Sequence, residues 1–188
     1  MTYLEELTNT RLKRPSSMVA GISSKILQIR KESIKQSLSD LNTIGHRQEY
    51  VATVEGVMYY DDSRAENVNA TWFTFQNIVK PVIWIAGGND CNTEFKDLKS
   101  IAKKKVKVLI CIGKSNTNLK KTFQKDIKEF YEVENLEQAV KTAALLAKEE
   151  DIVLFSPACT SNKKGETYVE RGIIFTETIK HLQNECHQ

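Results

Sequence analysis

Three short apolar runs restrict what this chain can fold into: VIWIAGG (residues 82–88), VKVLICIG (106–113) and DIVLFSPA (151–158). None alternates apolar with polar residues, so a strand built from any of them is buried on both faces. Each ends in glycine or in Ser-Pro, and helix-patterned segments separate them at about 94–103, 116–125 and 136–148. Strands alternating with helices predict an α/β fold, a mostly parallel sheet with helices on both faces and right-handed crossovers. FYEV (130–133) is a further short strand, and a last helix is expected over about 164–182. Upstream, residues 50–54 and 57–60 read as a hairpin closed by Glu55-Gly56. Still earlier, Met18, Ile22, Ile26, Ile29, Ile34, Leu38 and Leu41 recur at helical spacing. The first fifteen residues form a short extension that ends on Pro15. The expected division is an extension and helix over 1–45, then a domain over 46–188.

The chain has 188 residues, 40% hydrophobic and 27% charged, with a net charge of +3. This suits an ordinary globular protein and does not favour nucleic acid. The densest basic run, Lys103-Lys104-Lys105 with Lys107, has no interleaved aromatics and reads as a solvated helix end. Cys91, Cys111, Cys159 and Cys186 have no CxxC spacing, which argues against zinc and for free thiols in a reducing cytoplasm, with Cys111 and Cys159 in the core. The sequence shows neither a signal peptide nor an apolar run near 18 residues, so no membrane span is expected.

Ligands of such a sheet sit at the carboxyl ends of its strands. Three polar or glycine-rich loops leave those ends: YDDSRAEN (60–67), GGNDCNTE (87–94) and SPACTSNKKG (156–165). Each opens a helix, whose first amides attract anions. Each also has a plainer reading, as an N-cap, a tight turn or a strand end. His46-Arg47 could fork onto a phosphate or carboxylate, or Arg47 could pair with Glu49 or Glu55. Cys159 has no histidine near it in sequence. No GxxxxGK[ST], GxGxxG or HExxH occurs in the 188 residues, so nothing here cradles a triphosphate or holds a metal.

The order of these pieces carries a resemblance. His46-Arg47, Asp61-Asp62-Ser63-Arg64-Ala65-Glu66-Asn67, Gly87-Gly88, Ser156-Pro157-Ala158-Cys159-Thr160-Ser161 and Glu170-Arg171-Gly172 resemble the C-terminal domain of the Mur ligases, most closely their D-glutamate-adding members. The resemblance covers about residues 17–182. It implies a Rossmann-like domain that contacts ATP and supplies much of the amino-acid pocket, while a separate central domain carries the phosphate loop and magnesium ligands. Residue by residue, it implies that Arg47 and Asp62 contact nucleotide. Ser63, Arg64 and Asn67 belong to the family's Asp-Ser-Lys-Ala-Thr-Asn turn, and Ser161, the backbone at Asn162 and Tyr168 hold D-glutamate. ATP and magnesium would then serve the complete enzyme, and this chain alone would hold neither and be inactive. Its ligands would be ATP or ADP and D-glutamate, weakly, and separate ligase domains would be its partners.

Several positions depart from the family. Its lysine is Arg64 here, its threonine is Glu66, and the lysine after Gly-Gly falls at Cys91. Asn162-Lys163-Lys164 follows Ser161, and the His-Asn pair before the first long helix is absent. A carboxylate at Glu66 repels the side chain of glutamate. A second expectation therefore stands beside the first: a non-catalytic module binding a small anionic metabolite or a protein partner at the same edge.

Overall fold

The computed structural model describes residues 45–88, 93–113, 116–160 and 167–186. The chain divides into two units, Met1–Thr43 and Ile44–Gln188, and the described residues belong to the second. The expected extension and first long helix lie outside them.

Six strands form one sheet in the order β1-β2-β6-β3-β4-β5. The strands are β1 Glu49–Val54, β2 Val57–Asp61, β3 Val82–Gly87, β4 Val106–Ile112, β5 Glu129–Val133 and β6 Ile152–Phe155. Among the described residues only the β1–β2 pair is antiparallel. Its turn has Glu55 at φ 50 and Gly56 at φ 77. Two consecutive positive φ values give the two-residue hairpin turn that matches strand twist. The three apolar runs are the three central strands, and every residue of β3 and β6 is buried.

Helix α1 (Val68–Asn77), a 3-10 turn (Lys96–Leu98), α2 (Lys99–Lys105) and α3 (Thr117–Phe123) supply one face. Phe75, Leu98, Ala102, Leu119 and Phe123 pack there against Trp84, Ala86, Leu109 and Cys111. Trp84 meets Phe75 and Phe123 edge-on at 5.1 and 5.4 Å, and its indole N–H donates to the Ser156 carbonyl at 2.7 Å. Helices α4 (Leu136–Leu146) and α5 (Tyr168–Cys186) cover the other face. Val140, Ala143, Phe175 and Ile179 close over Ile83, Ile85, Ile110 and Phe155 there. Burying each such side chain contributes about 1.5–3 kcal/mol. The expected α/β architecture is thus present.

Two helix boundaries differ from expectation. The segment expected over 94–103 begins with a 3-10 turn at Lys96, because fully buried Phe95 and Leu98 fix the chain before the helix starts. The last helix begins at Tyr168 because Thr167 and Glu170 form a reciprocal cap. Glu170 Oε2 accepts from Thr167 N at 2.6 Å, and Thr167 Oγ1 accepts from Glu170 N at 3.3 Å. That is the Thr-x-x-Glu capping box.

The basic run is structural. Lys103 pairs with Asp126, Lys107 with Asp151, and the Lys105 ammonium donates to the carbonyls of Phe75 and Ile78 at the end of α1. Cys111 and Cys159 are buried in the core, as expected. No helix of the described residues is long and apolar enough to cross a membrane.

Candidate functional site

β3 leads onto one face of the sheet and β5 returns over the other to β6, so a crevice opens at the carboxyl ends between β3 and β6. Two backbone bonds join the loops there, Ser156 N to Ile85 O at 3.1 Å and Gly87 N to Pro157 O at 3.0 Å. Because β1 runs antiparallel, its start also lies at this edge. That brings the 45–48 turn beside the DDSRAEN stretch, where Arg64 N donates to His46 O at 3.1 Å.

Asp62 is the knot of this edge. It is 1% exposed, and its amide donates to Phe155 O. One carboxylate oxygen accepts from Thr74 Oγ1 at 2.7 Å and Ser156 Oγ at 2.8 Å. The other accepts from Gln48 N at 3.3 Å. Ser156 gives its proton to Asp62, so Thr71 is the donor in the Thr71–Ser156 bond of 2.8 Å. Burial pushes the Asp62 carboxyl up to about 6, against the lowering effect of the Thr74, Ser156 and Gln48 bonds. The residue expected to contact nucleotide thus has both oxygens engaged inside the protein.

Asp61 turns the other way. Its Oδ1 accepts from Ser63 N at 2.8 Å, and its Oδ2 lies 2.6 Å from His46 Nδ1. Gly172 of α5 rests against this pair. Glu49 Oε2 accepts from His46 N at 2.7 Å. Ligand atoms of His46, Glu49 and Asp61 lie within 4.8 Å of one another. Both Asp61 oxygens and Glu49 Oε2 already face nitrogen partners within the protein.

The remaining candidates are distributed unevenly. Arg47 is half-buried in the turn at this edge. Ser63 is fully buried and its hydroxyl has no partner. The exposed Arg64 places its guanidinium carbon 5.2 Å from the centre of the Tyr168 ring, a cation–π contact. Asn67 is exposed and caps α1, its Oδ1 accepting from Ala70 N at 2.9 Å. Ser161 and Asn162 lie outside the described residues, as do Cys91, Lys163 and Lys164. Neither Glu49 nor Glu55 pairs with Arg47 among the described residues.

Glu66 has a partner that the sequence reading did not assign. Arg171 Nη2 reaches Glu66 Oε1 at 2.8 Å and the Ser63 carbonyl at 3.4 Å. Arg171 is only 5% exposed, and its Nε and Nη1 have no partner among the described residues. It lines a cavity of about 220 Å³ with Gly87, Gly88, Glu134, Asn135, Glu137 and Phe155 among the other walls. Arg171 belonged to the quoted Glu-Arg-Gly triplet without a role. The glycine at 172, interior to an otherwise helical pattern, signals the close approach of His46 and Asp61 and gives no role to Arg171.

Residues 46–159 match the family described as Mur ligase, glutamate ligase domain. The chain belongs to the Mur ligase family. This Mur ligase chain is 33% identical over 167 residues to the UDP-N-acetylmuramoylalanine--D-glutamate ligase of Salinibacter ruber, covering 89% of this chain and 36% of that protein. It is 37% identical over 172 residues to the ligase of the same name from Lactobacillus delbrueckii subsp. bulgaricus, covering 90% and 37%. The chain therefore spans a little over a third of the length of these relatives. In fold it is similar to the MurF ligase of Thermotoga maritima solved with ADP, with a TM-score of 0.51 at 13% identity, over 76% of this chain and 32% of that one. The Mur ligase C-terminal fold, α/β and Rossmann-like, is thus common to this chain and that enzyme.

Proposed function

We propose that residues 44–188 are the lobe of a D-glutamate-adding Mur ligase that faces the amino acid and one side of the nucleotide. The observation that carries this reading is the gathering of Arg47, Ser63, Arg64 and Tyr168 at the carboxyl edge around the locked Asp61-Asp62 turn. The ligases named above share 33% and 37% identity with this chain over 167 and 172 residues.

In this reading ATP and magnesium are held by residues other than those described. The carboxylates of the edge do not fit a magnesium–triphosphate: Asp62 is turned inward and Asp61 is committed to His46 and Ser63. Phosphoryl transfer depends on positioning the phosphates and their metal, and the 188 residues contain no phosphate loop. The polypeptide by itself therefore binds without turnover. What its own residues contribute is orientation: α1 and α5 begin at this edge and hold Arg64 over Tyr168.

A second reading, a non-catalytic anion- or partner-binding module, draws on Glu66. Its carboxylate neutralises Arg171 at the position where the family has threonine. Thermal denaturation of the purified chain with ATP, ADP, D-glutamate and UDP-N-acetylmuramoyl-L-alanine separates the two. Stabilisation by D-glutamate or a nucleotide supports the ligase lobe. Stabilisation by none of them favours the second reading, and ATP hydrolysis by the chain that disappears in Asp62→Ala would refute the claim that it does not turn over.

A further inference from the structure

The geometry points to Arg171 as a carboxylate-binding group for the cavity beside it, with Glu66 as the internal carboxylate that restrains it. This goes beyond the reading above and does not rest on it. A guanidinium carries five N–H donors. Two of its three nitrogens here, Nε and Nη1, are buried and have no hydrogen-bond partner among the described residues, while Nη2 serves Glu66 and the Ser63 carbonyl. Buried donors without acceptors are unfavourable, and those of a charged group most of all. The cost of leaving them so is removed when an oxyanion arrives.

The cavity is where it can arrive. Arg171 is the one cation among its described lining residues. The first turn of α4 forms the opposite wall, where Asn135 Oδ1 caps Gln138 N at 2.9 Å. The amides of Leu136 and Glu137 in that turn have no acceptor within the helix. Gly87 and Gly88 leave the floor free of side chains. Nε and Nη1 are shielded from water while Glu66 holds the guanidinium against the Ser63 turn. Binding requires the guanidinium to turn so that they face the cavity.

The other lining charges define the ligand class. Glu134 and Glu137 face the same space, so a phosphate dianion or a second carboxylate meets repulsion. A small molecule with one carboxylate toward Arg171 and an ammonium toward the glutamates is matched at both ends.

Side-chain N–H NMR of the full chain tests this directly, because the shielded Arg171 Nε–H gives its own signal. Titration with 4-aminobutyrate is expected to shift that signal. Glu66→Gln, which removes the restraining charge at a side chain about one-third exposed, is expected to tighten binding about fivefold. No movement of the Arg171 signal, weaker binding in Glu66→Gln, or an equal response to inorganic phosphate would overturn the assignment. D-Glutamate in a separate titration keeps the two readings apart. If it shifts amides near Ser63 and Arg64 while 4-aminobutyrate leaves the Arg171 signal unmoved, this inference fails and the ligase lobe stands. If 4-aminobutyrate moves Arg171 while D-glutamate binds nowhere, this inference stands and the ligase lobe fails.

Discussion

Gly172 lies against His46 so closely that a β-carbon at position 172 would stand 2.1 Å from the His46 Nδ1 and 2.5 Å from Asp61 Oδ2. The helix interior at this point is therefore open only to glycine, although alanine is the better helix former by about 1 kcal/mol. Contact with the paired His46 and Asp61 outweighs that preference.

Gly172→Ala is accordingly expected to destabilise the domain by about 1–3 kcal/mol, the usual cost of overpacking. Urea denaturation measures it. In the His46→Ala background the penalty should shrink, because the nearer of the two obstructing side chains is gone. An equal loss in both backgrounds would mean that Gly172 matters for some other reason.

The raised Asp62 carboxyl makes a signed prediction about pH. An acid whose pKa is higher folded than unfolded favours the folded state most below about 3.8. That advantage is lost as pH rises through about 6 and stays constant above. The full difference corresponds to about 3 kcal/mol. Asp62→Asn keeps the shape without the charge. Relative to the natural chain it should gain stability between pH 4 and 7.5, by up to that amount less what altered hydrogen bonds cost. Denaturation midpoints of both proteins across this range decide it, and parallel pH profiles would contradict the buried-charge account.

Asn67 caps α1, so its substitution separates a capping role from a ligand-binding one. Asn67→Ala is expected to lower stability by about 0.5–2 kcal/mol, and Asn67→Ser to restore most of it, because serine is an equally good cap. Should D-glutamate binding be lost in Asn67→Ser while stability is kept, the residue also touches ligand.

Lys105 stands at the carboxyl end of α1 with its ammonium on the Phe75 and Ile78 carbonyls. Replacing it with methionine keeps the aliphatic stem and removes the charge. A loss of about 1–2 kcal/mol is expected in low salt, read by guanidinium-free denaturation, and an unchanged midpoint would show the contact to be incidental.

Much of the scaffold was legible from local pattern. Residues 82–88 and 151–158 read as doubly buried strands because no polar residue interrupts their apolar cores, and Glu55-Gly56 read as a turn because few residue pairs accept two positive φ values. The start of α5 was legible too, in Thr167-Tyr168-Val169-Glu170, yet hydrophobic spacing alone placed it four residues early. The site was harder. Aspartates 61 and 62 are adjacent and chemically identical in sequence. Only the pleat of β2 and the return of β6 decide that one serves His46 and the other is buried against Ser156. The pairing of Glu66 with Arg171 joins residues 105 positions apart, and no local signal selects that partner over Arg64, two positions away. The alternatives for Arg47 were a ligand fork or a pair with Glu49 or Glu55. Glu49 instead accepts the His46 amide, which leaves Arg47 without a carboxylate partner among the described residues.

The bonds to Asp62 reach four separate parts of the chain: the 45–48 turn through Gln48, α1 through Thr74, the loop after β6 through Ser156, and β6 itself through Phe155. None of these can open alone without stranding a charge in a dry interior. They should therefore behave as one cooperative unit, with the amides of Gln48 and Asp62 exchanging their hydrogens through a single shared opening event. The 45–48 turn is in this way as firmly held as the central strands. A pull on the chain at residue 45 would be resisted by the sheet before the hairpin begins to peel.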